Sequence, residues 1–252
     1  MIDGAVKEFY RKGLDILRDA RVSFMLGGAF ALEFYTGIQR DTKDLDIFIH
    51  PRDSQPVVEM FLRLGYQAQM TAPYWLAKVN SEEGVIDFVF GSGNGICVVD
   101  DHWFDYAVPS VFLGVPVMVA PVEEITWSKA FVMGRDRFDG ADVAHLLRSK
   151  GSGLDWSRLL ERFQGYTPLL LNHLVLFSFI YPSERHIIPG WVERELLRQW
   201  RQAEAAEVPP PVCRGTLLSR VDFQGDLRQW GYLDARLAPF GNLTEGDLIK
   251  KD

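Results

Sequence analysis

The spacing of hydrophobic residues along the chain changes near residue 120. Before that point, short apolar runs are separated by turn residues, a pattern typical of strands that alternate with helices. Apolar positions within 4–19 recur at helical spacing and predict an amphipathic helix. The pattern predicts further helices at 29–35 and 51–64 and strands at 22–26, 45–50, 74–79, 85–90 and 115–119. A polar turn at 80–84 predicts antiparallel pairing of the strands on either side of it.

From residue 121 onward the apolar residues recur at helical spacing. Pro121 lies at a predicted helix start, and Glu123 and Glu124 are acids of the kind that favour a first helical turn. The predicted helices are 121–133, 139–148, 154–163, 167–179 and 190–206. A proline-rich linker follows at 207–211. We therefore predict an α/β domain at 1–120, a helical domain at 121–206, and a tail at 207–252 that packs back on the body of the protein.

Composition narrows the class of protein. The 252 residues are 47% hydrophobic and carry a net charge of -7, which supports a sizeable core and argues against a chain-wide nucleic-acid surface. The two cysteines, Cys97 and Cys213, indicate no disulfide framework. The N-terminus has no signal-peptide pattern, and the apolar run 168–181 is too short and too polar to span a bilayer. We expect a cytoplasmic protein without a membrane partner, and the oligomeric state stays open.

Two short motifs carry candidate chemistry. Gly27 and Gly28 form a turn before a predicted helix, where backbone N–H groups and the helix dipole favour an anion. Asp44 and Asp46 lie at the head of an apolar strand, and residues two apart on a strand face the same side. Two adjacent carboxylates repel each other, and Mg²⁺ relieves that repulsion while also binding phosphate. Asp87 lies among apolar residues on a later predicted strand and supplies a third acid.

In this order, the motifs resemble the DNA polymerase β-type nucleotidyltransferase superfamily. The resemblance covers roughly residues 20–150 and is closest to small bacterial members, the aminoglycoside nucleotidyltransferases and the abortive-infection toxins. It implies a nucleotidyltransferase-fold mixed sheet with flanking helices, of α/β class, followed by a helical C-terminal region. Many members have Ser after the Gly-Gly pair, whereas this chain has Ala29.

The resemblance also implies a reaction. A nucleoside monophosphate would move from an NTP such as ATP to an acceptor hydroxyl, with release of pyrophosphate, through two Mg²⁺ ions held by Asp44 and Asp46. Asp87 would complete the acceptor-side metal site and take the hydroxyl proton. Gly27 and Gly28 would bind the β- and γ-phosphates.

Basic residues are the expected counterpart of a triphosphate. Arg40 and Lys43 flank the aspartate pair, with solvated loop charges as the alternative interpretation. By resemblance, Lys129 would contact phosphates, and Asp142 would orient Lys129 or Arg137. The alternative for these three is a salt-bridge cluster between helices.

A non-catalytic alternative remains open, a nucleotide-binding module of antitoxin-like or regulatory type, and Ala29 favours it. The three carboxylates argue against it, because an idle domain need not keep a costly acidic cluster. For an enzyme, the acceptor could be a small molecule, tRNA or a protein. The acidic net charge slightly favours a cationic small molecule.

Overall fold

The computed structural model describes residues 3–204 and 210–248. The described residues of Met1–Pro121 and Thr244–Asp252 form one compact unit, unit 1, and those of Val122–Leu243 form another, unit 2. The linker predicted at 207–211 lies largely outside the described residues. None of the described helices is long and apolar enough to cross a membrane.

Unit 1 is built on a mixed sheet of seven strands. In chain order they are β1 (Phe24–Leu26), β2 (Asp44–Ile49), β3 (Gln67–Ala72), β4 (Leu76–Asn80), β5 (Val85–Val89), β6 (Val108–Phe112) and β7 (Val115–Val119). Their order across the sheet is β3-β4-β5-β2-β1-β7-β6. The pairs β2–β5 and β1–β7 are parallel, whereas β1–β2, β3–β4, β4–β5 and β6–β7 are antiparallel. Strand β2, which carries two of the candidate acids, therefore lies in the middle of the sheet.

Helices flank this sheet. They are α1 (Gly4–Asp19), α2 (Gly28–Thr36), α3 (Ser54–Arg63) and α4 (Asp101–Asp105), with a 3₁₀ turn at Pro51–Asp53 before α3. Asp3 caps α1 by accepting a hydrogen bond of 2.9 Å from the backbone N–H of Ala5. Gly37 ends α2 in the left-handed conformation, with φ of 73°.

One face of the central strands packs on α1 and α3 and forms the core of unit 1. The shared cluster includes Leu14, Leu17, Leu45, Ile47, Val57, Phe61, Ile86 and Phe88. Leu45 and Ile47 are fully buried in it, so the alternate residues of β2, Asp44 and Asp46, must face the other side of the sheet.

Unit 2 is mainly helical. Its helices are α5 (Val122–Ala130), α6 (Gly140–Lys150), α7 (Trp156–Arg162), α8 (Thr167–Ile180), α9 (Gly190–Glu204) and α10 (Gln224–Gln229). The short parallel strands β8 (Val212–Cys213) and β9 (Leu233–Asp234) pair in its C-terminal part. A last helix, α11 (Glu245–Leu248), belongs to unit 1.

A buried ion-pair network ties the start of α5 to α7. Glu124 is fully buried, and both of its oxygens accept hydrogen bonds from Nη1 of Arg158, at 2.7 and 2.6 Å. Arg162 donates to the same carboxylate at 3.1 Å, and Glu123 pairs with Nη2 of Arg158. Because the charges are paired and hydrogen-bonded, their burial is tolerated. These two acids therefore do more than favour the first turn of α5.

The predicted fold class, a mixed sheet with flanking helices and a helical C-terminal region, is confirmed. Among the described residues, the predicted helices and strands are present with boundaries shifted by a few residues, and β4 and β5 form the predicted antiparallel hairpin. The last two residues of the helix predicted at 190–206 lie outside the described residues. In the part of the chain that the structure describes, β3, β6 and the short α4 lacked a prediction, as did β8, β9, α10 and α11 in the C-terminal part.

Candidate active site

Three carboxylates lie on one face of the sheet, on the neighbouring strands β2 and β5. Asp44 and Asp46 are half-buried, and Asp46 is directly opposite Asp87 in the parallel register. Neighbouring strands are about 4.8 Å apart, so these two side chains are adjacent. Oδ1 of Asp44 accepts a hydrogen bond of 2.8 Å from the Thr42 hydroxyl. The structure thus brings the three predicted acids to one face.

The Gly-Gly turn packs directly on this acidic strand. Gly27 donates a backbone hydrogen bond of 2.9 Å to the carbonyl of Asp46. A Cβ atom on Gly27 would lie 2.5 Å from Cδ2 of Phe48, and one on Gly28 would lie 2.6 Å from Cγ of Asp46. Gly28 also has a positive φ of 52°. Only glycine fits at both positions, because side chains of β2 occupy the space.

Helix α2 begins at this turn and leaves backbone donors at its first residues. Its N-cap, Gly27, has no side chain that could accept from them. The first N–H groups of a helix have no partner within the helix, and together with the helix dipole they attract anions. Ala29 contributes a backbone N–H but no hydroxyl, so phosphate binding at this turn would depend on main-chain donors.

Lys78 is a site residue that the sequence analysis missed. It lies on β4 opposite Asp87, and its Nζ donates to both carboxylate oxygens, at 2.8 Å to Oδ1 and 2.7 Å to Oδ2. The signal was present in the sequence. Once Asn80 pairs with Val85 across the predicted turn, antiparallel register places Lys78 opposite Asp87.

The negative charges of this face act on Asp87 itself and on the phenol of Tyr10. Burial raises the pKa of Asp87, and the charge of Asp44 raises it further, against the opposing effect of the Lys78 ammonium. Burial also raises the pKa of Tyr10 to about 12, with additional contributions from the negative charges of Asp44, Asp46 and Asp87. The negative charges of all three acids therefore act on one buried side chain.

The donor set fits a divalent cation at Asp44 and Asp46. Mg²⁺ is commonly bound by one or two carboxylates that share it with substrate phosphates and water. Within residues 3–204 and 210–248, no group of three or more His, Cys, Asp or Glu side chains is arranged to hold a metal ion. The third carboxylate, Asp87, has both oxygens hydrogen-bonded to Lys78 instead.

The other predicted binding residues lie in two places. Arg40 and Lys43 are exposed on the segment between α2 and β2. Lys129 is in unit 2, where its Nζ donates to Asp142 at 2.6 Å and to Asp139 at 3.2 Å. The contact between Lys129 and Asp142 is thus present in the structure.

The cluster around Lys129 is largely buried. Its side chain is 13% exposed, and those of Asp139 and Asp142 are 10% and 5% exposed. Arg137, which is exposed, donates to both oxygens of Asp139 at 3.0 Å. Burial opposes ionisation of Asp139, but the hydrogen bonds and charges of Arg137 and Lys129 outweigh it and hold the pKa of Asp139 below its ordinary value.

Several solved structures are similar to this chain. The lincosamide antibiotic adenylyltransferase LnuA, solved with lincomycin bound, is 18% identical, with coverage of 56% of this chain and 94% of its own and a TM-score of 0.40. ANT(2")-Ia in complex with adenylyl-2"-tobramycin is 14% identical, with coverages of 64% and 95% and a TM-score of 0.44. An antigenic nucleotidyltransferase-like protein from Paracoccidioides brasiliensis is 15% identical, with coverages of 73% and 93% and a TM-score of 0.47. No curated protein matches the chain significantly in sequence.

The match to a protein family is more informative. A family described as "Nucleotidyl transferase of unknown function (DUF2204)" matches residues 6–161, more than half of the chain. The matched region contains the whole seven-stranded sheet, the Gly-Gly turn, the three carboxylates and the Lys129 cluster. It confirms the resemblance inferred from the motifs. The chain therefore belongs to this family of nucleotidyl transferases.

Proposed function

We propose that this protein transfers a nucleoside monophosphate from an NTP to an acceptor hydroxyl, with release of pyrophosphate and with Mg²⁺ as the cofactor. The observation that carries the proposal is the packing of the Gly-Gly turn onto the acidic strand. It places backbone donors suited to phosphate beside Asp46, a carboxylate suited to a cation. Membership of the nucleotidyl transferase family supports the same reaction.

Each residue has a distinct part in this reaction. The N–H groups at Gly28 and the start of α2 bind the β- and γ-phosphates, and Asp44 and Asp46 hold Mg²⁺. When bound, the ion neutralises charge on the phosphates and lowers the barrier to displacement. The acceptor oxygen forms a bond to the α-phosphorus, and the bond to the bridging oxygen breaks, so that pyrophosphate leaves with the electron pair.

Asp87 receives the acceptor proton. A carboxylate oxygen has two lone pairs, so Asp87 can accept a hydrogen bond from the acceptor hydroxyl while Lys78 remains bound. The two-ion arrangement predicted from the sequence would give Asp87 an additional role, because Asp87 would also have to bind a second Mg²⁺. That arrangement needs the Lys78 ammonium to share or vacate the carboxylate.

The basic residues bind the triphosphate in this proposal. Arg40 and Lys43 are exposed next to β2, where their positive charges would attract the solvent-accessible phosphates of the NTP. Lys129, oriented by Asp142, would contact phosphate as a point charge. The acceptor is a small molecule, a tRNA or a protein, and the net charge of -7 favours a cationic small molecule among them.

The test is transfer of label from α-phosphate-labelled NTPs. The full chain is incubated with each labelled NTP, Mg²⁺ and cell extract, and label is followed into small molecules, RNA and protein together with pyrophosphate. Asp44→Asn should abolish transfer, whereas Asp41→Asn, which changes an exposed aspartate three residues earlier, should not. NTP binding without transfer to any fraction would overturn the proposal and favour the non-catalytic module.

A further inference from the structure

The ion pair between Lys78 and Asp87 lies inside the acidic face of unit 1. Lys78 is 30% exposed at its side chain and Asp87 is 10% exposed, so the contact is partly shielded from water. On its other side, Asp87 is next to Asp46 on β2. Lys78 therefore brings a positive charge to the same three acids that are the candidate cation ligands.

An ordinary cross-strand ion pair would need no functional explanation. Opposite charges on facing residues stabilise antiparallel strands modestly, by about 0.2–1 kcal/mol. Such pairs usually lie on a solvated face and leave carboxylate lone pairs to water. Here the ammonium contacts both oxygens of a carboxylate that is largely buried beside two further acids. The ammonium therefore contacts the same two oxygens through which Asp87 would bind a cation.

The charges of the cluster favour a single divalent ion. Three ionised carboxylates and one ammonium leave two negative charges, which one Mg²⁺ neutralises. Without Lys78, three carboxylates on adjacent strands would repel each other strongly at this partly buried site. The lysine therefore removes the electrostatic reason for a second ion at Asp87.

We propose that Lys78 is a fixed counter-charge that takes the place of a second metal ion at Asp87, so that Asp44 and Asp46 alone form the protein's divalent-cation site. Lys78 is then a positioning residue, because it holds the Asp87 carboxylate beside Asp46 without contacting the reacting atoms. The proposal rests on the proposed function for its catalytic meaning, but its cation-binding part can be measured without nucleotide or acceptor.

The test is binding of Mn²⁺ alone, up to millimolar concentration, to the full chain by electron paramagnetic resonance. Lys78→Met removes the ammonium and exposes Asp87 to the cation, so Mn²⁺ affinity should rise by roughly tenfold or more, or one further ion should bind. Lys78→Arg keeps the charge and should bind Mn²⁺ like the wild type. Lys12→Met, which alters an exposed lysine on α1, should also match the wild type.

A double variant keeps the test decisive if Lys78→Met folds poorly. Lys78→Met with Asp87→Asn has the same net charge as the wild type and leaves no unpaired acid, so it should fold. In our proposal Asp87 does not bind the cation. The Mn²⁺ affinity of the double variant should therefore stay within about twofold of the wild type. A clear loss of affinity in this variant would show that Asp87 is a metal ligand and would overturn the proposal.

Two further results would also overturn it: unchanged Mn²⁺ affinity in a folded Lys78→Met protein, or no Mn²⁺ binding by the wild type and all variants. Failure of the proposed function gives a different result. If no acceptor is ever labelled but the variants bind Mn²⁺ in the expected order, the counter-charge is supported and nucleotidyl transfer is not.

Discussion

Gly28 lies directly against the side chain of Asp46. A Cβ atom at position 28 would be 2.6 Å from Cγ and 2.9 Å from Cβ of Asp46, and the backbone there has a φ of 52°. The absence of a side chain at Gly28 therefore leaves room for the Asp46 carboxylate and also permits the left-handed backbone of the turn.

We expect Gly28→Ala to reduce both stability and nucleotide binding. The left-handed backbone alone costs about 1–3 kcal/mol for a residue with a side chain. Displacement of Asp46 adds to this cost and disturbs the cation site. Urea unfolding and calorimetric titration with a nonhydrolysable NTP measure the two effects.

Gly37→Ala is the matched control for this substitution. Gly37 ends the same helix with a φ of 73°, and a Cβ atom there would meet nothing within 4 Å. It should lose stability from backbone strain alone and retain nucleotide affinity. Equal effects of the two substitutions on nucleotide affinity would show that contact with Asp46 is irrelevant to binding.

The carboxylate pair makes a separate prediction. Asp44→Asn and Asp46→Asn should abolish metal-dependent transfer but leave the metal-free melting temperature unchanged or higher, because repulsion between the acids is relieved. Mg²⁺ or Mn²⁺ should raise the melting temperature of the wild type and of Asp41→Asn more than that of either variant. If the ions stabilise all four proteins equally, they bind elsewhere.

Lys129 should contribute to the stability of unit 2 whether or not it contributes to catalysis. Lys129→Met leaves Asp139 and Asp142 buried with unbalanced charge, which typically costs about 3–5 kcal/mol. Arg137→Met is the control, since Arg137 is 71% exposed at its side chain and should cost less than about 1 kcal/mol. Chemical denaturation of the two variants tests this difference.

A triple variant separates the structural role of Lys129 from a role in phosphate binding. Lys129→Met combined with Asp139→Asn and Asp142→Asn removes the unbalanced charge and should recover most of the lost stability. If Lys129 contacts phosphate, this stable variant still has a raised KM for NTP or a lowered kcat. Wild-type kinetics in the triple variant would restrict Lys129 to the structural role.

The burial of His173 should make the free energy of unfolding depend on pH. This histidine lies on α8, is 2% exposed, and its Nε2 donates to the Ala130 carbonyl at 2.9 Å. Burial lowers the pKa of His173, and the hydrogen bond to Ala130 only partly opposes this. Between the lowered pKa and about 6.5, the unfolded chain binds a proton that the folded protein does not.

Stability from this residue should therefore be complete above about pH 6.5 and decline as the pH falls, by up to about 1.4 kcal/mol per pH unit. His173→Gln should weaken this decline, as measured by urea unfolding from pH 5 to 8. His186→Gln changes an exposed histidine and should parallel the wild type. Parallel profiles for His173→Gln and the wild type would contradict the prediction.

The central part of unit 1 could be predicted from the sequence, but both edges of its sheet could not. Strands β2 and β5 are rich in apolar residues because the middle of the sheet is buried. The missed strands, β3 and β6, are its two edge strands. In β3 the alternate residues Gln67, Gln69 and Thr71 face solvent, and β6 contains Pro109, which is tolerated because an edge strand need not donate every backbone N–H.

The acids and glycines of the site could be recognised from their order along the chain, whereas the packing of the Gly-Gly turn on the acidic strand could not. The contact between Gly28 and Asp46 depends on how a turn packs over a strand 18 residues later. The partner of Asp87 depends on the register of the β4–β5 hairpin. The predicted turn at 80–84 implies this register, but a comparison of short motifs does not use it. The type of each residue can be taken from the sequence directly, whereas the partner of a side chain depends on which strands pair and in which register.

The turn between β4 and β5 limits which insertions and deletions this chain can accept. Glu82 and Glu83 are exposed there, and exposed turns usually tolerate changes in length. A shift of β4 by one residue would turn Lys78 toward the core side and bring Ala77 or Val79 opposite Asp87. A shift by two would keep the face but move the ammonium about 7 Å along the strand. Over evolutionary time, the length of this surface turn should be as restricted as the identity of the acid that it aligns.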